Sequence, residues 1–172
     1  MAQITQRVMT ALYSALSAGF NNAVNNTAGG YGLIADKYQV DWSDSSQSVY
    51  RAAADPADLD RTTASRYPLV CIYGLSSSNQ NFTKFSRFSG FVTIAMDIHL
   101  SWTNAGALTD FESAGNLIED VVIDLINSTD WQSYSVKIAW NGNISLTRTP
   151  LIRGAQGWLQ SMKFQMTFQV DL

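Results

Sequence analysis

Apolar residues recur at three- and four-residue spacing in two segments of the chain, which is the pattern of an amphipathic helix. The first segment covers residues 3–27, and a glycine pair follows it as a stop signal. The second begins at Thr109, with Glu112 three residues later at the spacing of a capping box, and it extends to Ile126. We therefore predict two helices, each with one apolar stripe that packs on the rest of the fold.

Apolar and polar residues alternate in two other segments, as they do along a strand with one buried face. These segments are residues 92–102 and residues 158–172. We expect their apolar side in the core and their polar side against water or a neighbouring molecule. A third segment, residues 67–73, is short and largely apolar, which is typical of a strand buried on both faces.

Two stretches predict interruptions of this strand pattern. Asn141 and Gly142 separate the alternating residues 134–140 from residues 144–146, and this pair favours a two-residue hairpin turn in which both residues adopt positive φ. The Ser-, Asn- and Gln-rich residues 76–81 predict a loop. We therefore expect a strand meander in the carboxy-terminal third and a loop after the apolar strand.

Residues 29–66 form the least regular stretch, in which six aspartates lie among Ser, Ala and Gly. We predict a long irregular arm there, interrupted by one short strand near residues 48–52. No repeat divides the chain, so residues 1–172 are expected to form a single domain. The order of helix, strands, helix and strands predicts an α+β fold, in which a mostly antiparallel sheet is covered on one face by two helices.

Composition adds an uneven charge distribution to this picture. Only 15% of the 172 residues are charged, below the roughly 25% of an average domain, and the formal net charge is −3. Residues 1–130 carry 7 basic and 13 acidic groups, a net −6, whereas residues 131–172 carry 4 basic groups and 1 acidic group, a net +3. Head-to-tail assembly of identical copies would bring these opposite charges together.

The sequence indicates neither a membrane protein nor a metalloprotein. The amino-terminal segment has Arg7 and polar residues among its apolar ones, and no apolar run approaches the roughly 18 residues of a membrane span. One cysteine and one histidine are too few for the usual zinc ligand sets. We therefore expect no membrane contact, no metal and no cofactor, and we expect the protein to be made in a cytosol.

Asp97, His99 and Ser101 carry the three side-chain types of a hydrolase triad on the polar side of one predicted strand. Alternate residues on a strand lie about 6.6–6.8 Å apart and project in parallel, whereas triad residues converge to hydrogen bonds of about 3 Å. We therefore predict a polar face that contacts another subunit, and no enzyme. The alternative is a small-molecule binding module or a hydrolase that uses Asp97 and His99, which would require a concave pocket around them.

Aromatic and basic residues predict a surface for assembly. Phe82 and Phe85 flank Lys84 in a short cluster that we expect to pack on the core or on a partner, because a chain of pI near 4.9 is poorly suited to binding single-stranded nucleic acid. The predicted interface consists of Phe82, Phe85, Arg148, Arg153 and Lys163. Reversal of Arg148 and Arg153 to Glu is expected to impair assembly and to leave the fold intact.

The succession of elements resembles that of the bacteriophage tail terminator, or tail completion, family. The segments that carry the resemblance are the helix at residues 4–24, the strand at 91–102, the helix at 109–126 and the closing strands at 134–172. The resemblance rests on the order of elements and on no signature motif. Proteins of this family form rings, usually hexamers, at the head-proximal end of the tail tube, where they stop tube polymerisation and join the tail to the head or neck.

The resemblance implies a structural virion protein without catalytic residues. Its partners would be further copies of itself in a homohexameric ring, the tail tube protein, and a head–tail connector or neck protein. DNA would pass through the lumen without specific binding, and the protein would reside in the virion tail after assembly in the host cytoplasm. A tail tube subunit, almost all strand, and a head–tail connector subunit, richer in helix, are the alternatives within the virion.

Overall fold

The computed structural model of the protein describes residues 2–43, 48–53, 67–80, 88–102, 108–134, 137–154 and 157–171. The helices are α1 (Ala2–Thr27), α2 (Leu108–Ser128) and the short α3 (Trp131–Tyr134). The strands are β1 (Val49–Tyr50), β2 (Leu69–Asn79), β3 (Ser89–Trp102), β4 (Ile138–Arg148), β5 (Ile152–Arg153) and β6 (Trp158–Asp171). The two long helices begin and end within two residues of the predicted bounds.

The six strands form one sheet in the order β1-β2-β3-β6-β4, and β5 also pairs with β6. Neighbouring strands are antiparallel except β1 and β2, which are parallel. The predicted α+β class and the mostly antiparallel sheet are therefore confirmed. The placement of both helices over a single face of the sheet stays a prediction.

One apolar core joins the two long helices to alternate residues of the central strands. The even-numbered side of β3 and β6, called the even face, contributes Val92, Ile94, Met96, Ile98, Leu100, Met162, Phe164, Met166, Phe168 and Val170. The helices contribute Val8, Leu12, Leu16, Phe20, Leu117, Ile118 and Val121, among others, to the same cluster. Each fully buried large side chain of this kind contributes about 1.5–3 kcal/mol relative to exposure, so this core is the main source of stability.

The second half of β2 was expected to be a loop, and that expectation is wrong for residues 76–79. Ser76 pairs in register with Thr93, and Ser78 pairs with Phe91. The side chains of this half are exposed, so the strand has no apolar alternation that the sequence could display. Its backbone approaches β3 closely, because a Cβ at Gly90 would lie 1.9 Å from the Ser78 carbonyl oxygen.

The predicted hairpin at Asn141 and Gly142 is also wrong, because β4 passes through these residues as one strand. Trp140 pairs with Phe168 of β6 and Ile144 pairs with Met166, so the three residues 141–143 of β4 lie opposite the single residue Thr167 of β6. The extra residues form a bulge in which Gly142 has φ of 80°. Glycine supplies positive φ to bulges as well as to turns, and the sequence pattern does not distinguish the two.

The amino-terminal part of the predicted arm is held against α1. The Asn21 side chain accepts a hydrogen bond from the Val40 N–H at 2.8 Å and donates one to the Val40 carbonyl at 2.8 Å. The short strand expected within the arm is β1. Residues 44–47 and 54–66 of the predicted arm lie outside the described residues.

Candidate functional site

The opposite side of β3 and β6, called the odd face, carries a cluster of polar side chains. Asp97 and His99 of β3 lie beside Tyr73 of β2 and Ser161 of β6. His99 Nδ1 and Ser161 Oγ form a hydrogen bond of 2.7 Å, and the Tyr73 hydroxyl donates to Asp97 Oδ2 at 3.0 Å. The sheet register explains these contacts, because His99 is directly opposite Ser161, and Tyr73, which is opposite Ala95, is a diagonal neighbour of Asp97 on the same face.

This polar cluster is enclosed within the chain. Asp97 is 5% exposed, His99 is 1% exposed and Ser161 is 5% exposed. The expectation that this face meets water or another subunit is therefore wrong for Asp97 and His99. Buried polar groups require hydrogen-bond partners, and Tyr73 supplies one to Asp97 Oδ2 and Ser161 one to His99 Nδ1, whereas the buried Oδ1 of Asp97 has no hydrogen-bond partner among the described residues.

Burial also controls the protonation of the cluster. It raises the pKa of the Asp97 carboxyl, while the hydrogen bond from Tyr73 and the positive charge of Lys163 lower it in part. Burial raises the pKa of Tyr73 to about 12, and the neighbouring Asp97 carboxylate adds to this effect. The Tyr73 phenol therefore stays protonated near neutral pH and acts as a hydrogen-bond donor.

The cluster differs from the arrangement of a hydrolase triad. The serine that contacts His99 is Ser161 on the neighbouring strand. Ser101 lies two residues after His99 along β3. The carboxylate of Asp97 accepts its hydrogen bond from Tyr73. Sequence reasoning missed Ser161 and Tyr73, because only the register of the strands brings them to this place.

Arg148, which was predicted to lie in the assembly interface, makes its contacts within the chain. Its guanidinium is an ion-pair partner of both Glu112, at 3.1 Å, and Glu119, and it donates to Asn116 Oδ1 at 2.8 Å. A Cβ at Gly115 would lie 3.0 Å from Arg148 Nη1, so the glycine leaves room for the guanidinium. A glutamate at position 148 would face two carboxylates, and the expectation that its reversal leaves the fold intact loses its basis.

The structure describes two of the other predicted interface residues, Arg153 and Lys163. Arg153 is exposed on β5. Lys163 is exposed on the odd face, whereas Arg148 pairs in register with Met162 of the even face. Phe82 and Phe85 lie outside the described residues.

Both edges of the sheet present open strands. On its outer side, β2 pairs with β1 only at Val70 and Cys71. In the part of the chain that the structure describes, no strand pairs with the outer side of β4 or of residues 73–78, whereas Ile72 is 1% exposed and is covered within the chain. The two edges contain one charged residue, Arg148, and no proline. Sheets normally protect such edges with charge, proline, bulges or a covering segment, and each of these edges carries a bulge, between Gly74 and Ser76 in β2 and between Trp140 and Ile144 in β4.

A shallow polar groove of about 370 Å³ lies at the junction of α1 and α3. It is lined by Gln6, Arg7, Thr10, Ala11, Ser14 and Tyr134. Neither Asp97 nor His99 contributes to it. The groove is therefore separate from the pocket that a hydrolase using those two residues would need.

Two comparisons of the chain with known proteins found no match. No model of a known protein family matches the chain, and no curated protein is significantly similar to it. Neither long helix in the described ranges combines the length and apolarity of a bilayer-crossing segment. Among the same residues, no group of three or more His, Cys, Asp and Glu side chains is placed to hold a metal ion.

Proposed function

We propose that this protein is a bacteriophage tail terminator, a structural virion subunit that forms a ring at the head-proximal end of the tail tube. In this role it stops tube polymerisation and joins the tail to the head or neck. The observation that carries the proposal is the pair of open sheet edges, β4 and residues 73–78. An open edge is a template for pairing with another chain, and a subunit with one edge on each side is suited to head-to-tail assembly.

The element order supports a tail terminator over other virion subunits. The chain has a long amino-terminal helix, strands, a second long helix and closing strands, in the order on which the resemblance rests. The helices contain 26 and 21 residues, which is more helix than a tail tube subunit is expected to have. The sheet has six strands, which is more strand than a helix-rich connector is expected to have.

The buried polar cluster supports a structural role over catalysis. A hydrolase or small-molecule binding module built on Asp97 and His99 needs both side chains in reach of a solute. Both are almost fully buried, and their hydrogen bonds connect adjacent strands. Stabilisation of the sheet accounts for these contacts without a reaction.

Native mass spectrometry of the purified full chain, with electron microscopy of the same sample, tests the proposal. The expected result is a closed ring whose mass is a small multiple of 18.9 kDa, with six copies as the first expectation. In the phage that encodes the chain, its loss is expected to give tails that are too long or unattached to heads, and the supplied wild-type protein is expected to restore them. A monomer at working concentrations, together with normal tails in its absence, would overturn the proposal.

A further inference from the structure

We propose that Asn141 is a self-modification site, at which the backbone nitrogen of Gly142 attacks the side-chain amide and the asparagine becomes aspartate or isoaspartate. Asn141–Gly142 is the one place in the 172 residues where glycine follows asparagine. The structure places this pair in the bulge of β4. The reaction needs water as its co-reactant and no partner molecule, so the inference does not depend on the function proposed above.

The bulge leaves the attacking nitrogen accessible. Residues 141–143 have no register partners in β6, and all three are exposed. Gly142 has φ of 80°, and no atom outside its chain neighbours lies within 4 Å of the position that a Cβ would take. Because glycine has no side chain, its nitrogen is open to attack on the neighbouring side chain and to solvent.

A hydrogen bond holds the Asn141 side chain over the same turn of backbone. The Asn143 N–H donates to Asn141 Oδ1 at 2.9 Å, across Gly142. An asparagine side chain that accepts from the N–H two residues later lies close to the nitrogen between them. The bond also places a donor on the oxygen that becomes negatively charged when Cγ is attacked, and this donor stabilises the intermediate. The geometry therefore favours ring closure at Asn141.

The reaction exchanges one amide bond for another and ends in hydrolysis. The Gly142 nitrogen loses its proton to hydroxide and bonds to Asn141 Cγ, the Cγ–Nδ2 bond breaks, and Nδ2 takes a proton from water and leaves as ammonia. Water then opens the cyclic imide on either side of its nitrogen. Opening at Cγ gives aspartate, and opening at the backbone carbonyl carbon gives isoaspartate, in which the chain continues through the side-chain carboxyl. No atom is oxidised or reduced, and the formal net charge of −3 becomes one unit more negative.

The neighbouring Asn143 is a matched control in the same bulge. It is exposed like Asn141, but the residue after it is Ile144, whose β-branched side chain crowds the nitrogen that would attack. Ile144 also pairs in register with Met166, so its backbone is fixed in the sheet. We expect Asn141 to convert at least about tenfold faster than Asn143, because its attacking nitrogen belongs to a glycine. Trypsin releases both asparagines in one peptide, residues 138–148, so a single measurement reports both reactions.

Peptide mapping of the folded full chain by mass spectrometry tests the inference. The protein is incubated in heavy-oxygen water at mildly acidic and mildly alkaline pH and then digested in ordinary water, so that the label marks conversion before digestion. The expected result is labelled aspartate and labelled isoaspartate at position 141, formed faster at alkaline pH because the attacking nitrogen must lose its proton. Conversion of Asn143 as fast as that of Asn141 would overturn the inference. Aspartate without isoaspartate would overturn it too, because direct hydrolysis by water gives aspartate alone.

Unfolding and substitution separate the contribution of the fold from that of the local sequence. Conversion of Asn141 in urea, with protection of the folded chain, would overturn the claim that the bulge presents this site. Gly142→Ala is expected to slow the conversion at least about tenfold, because a side chain then shields the nitrogen. Positive φ strains an alanine, so circular dichroism establishes whether this variant is folded. An unchanged rate in the folded variant would contradict the inference, and if the variant does not fold, the comparison of Asn141 with Asn143 in the unaltered chain decides.

Discussion

The two faces of β3 are buried to a similar depth in the middle of the strand, but different contacts stabilise them. On the even face, Ile94, Met96 and Ile98 pack in the core that includes both long helices. On the odd face, Asp97 and His99 are buried among directional hydrogen bonds to neighbouring strands. The even face depends on apolar area and shape, whereas the odd face depends on the hydrogen bonds between Tyr73 and Asp97 and between His99 and Ser161.

The odd face also changes character along its length. Near His99 the side chains of this face are buried. Further along, Lys163 and Gln165 are exposed, and the hydrogen bond between Thr93 and Thr167, at 3.0 Å, is only partly buried. The sequence alternates polar and apolar residues in both parts. Alternation therefore indicates which side a residue is on, and the surrounding fold decides whether that side meets water.

The largest expected effect is removal of a core aromatic from the even face. Phe164→Ala is expected to lower the free energy of unfolding by about 3–5 kcal/mol, because Phe164 is fully buried and the truncation leaves a cavity. Phe91→Ala is the matched control, since Phe91 is only half-buried and lies on the odd face of β3. Urea denaturation of both variants measures the difference, and equal losses would contradict the contrast between the faces.

A smaller loss is expected from the polar cluster. Ser161→Ala removes the hydroxyl from His99 Nδ1 and is expected to cost about 1–3 kcal/mol, because the pair is buried. Thr167→Ala, which breaks the partly buried bond to Thr93, is the control and is expected to cost less. His99 is the only histidine, so its ring signals in NMR report the lost contact directly. A cost no greater than that of the control would show that burial adds nothing to this hydrogen bond.

Periodicity in the sequence was sufficient to predict the long elements. The helical spacing in residues 3–27 and 109–126 and the alternation in 92–102 and 158–172 correspond to helices and strands with nearly the expected bounds. These elements bury one apolar side, and that requirement shapes their sequences. The α+β class follows from their order.

Features that depend on strand register could not be predicted. The contact between His99 and Ser161 joins residues 62 positions apart, and one residue of slip would remove it. The bulge at Gly142 uses the same residue types as a hairpin turn. Arg148 was assigned to an interface because its charge was visible, whereas the fold places three acceptors around it.

A third test compares two arginines of the carboxy-terminal third, Arg148 and Arg153. Arg148→Met is expected to lower the free energy of unfolding by about 1–2 kcal/mol, more than an exposed ion pair contributes, because the side chain is 22% exposed and contacts α2 through three residues. Arg153→Met changes an exposed residue and is expected to stay within about 0.5 kcal/mol of wild type. Thermal and urea denaturation of both variants measure the two losses of stability. A similar small change in each would show that the contacts of Arg148 contribute little to stability.

The smallest expected difference between the two faces is the pH dependence of their contributions to stability. We expect this dependence from the odd face. An unfolded aspartate ionises near pH 3.9, whereas burial raises the pKa of Asp97 in the folded chain. Between these two values the unfolded state releases a proton that the folded state keeps, so this residue's contribution to stability falls as the pH rises and is constant above the folded pKa. Among the groups facing Asp97, Tyr73 has a pKa of about 12 and stays neutral in this range. Asp97→Asn keeps an oxygen acceptor for Tyr73 without the titration, and its stability relative to wild type is expected to increase from pH 4 upward and then level off. Denaturation curves of the two proteins across pH 4–8 measure this, and a difference that does not change with pH would mean that the carboxyl titrates alike in the folded and unfolded chains.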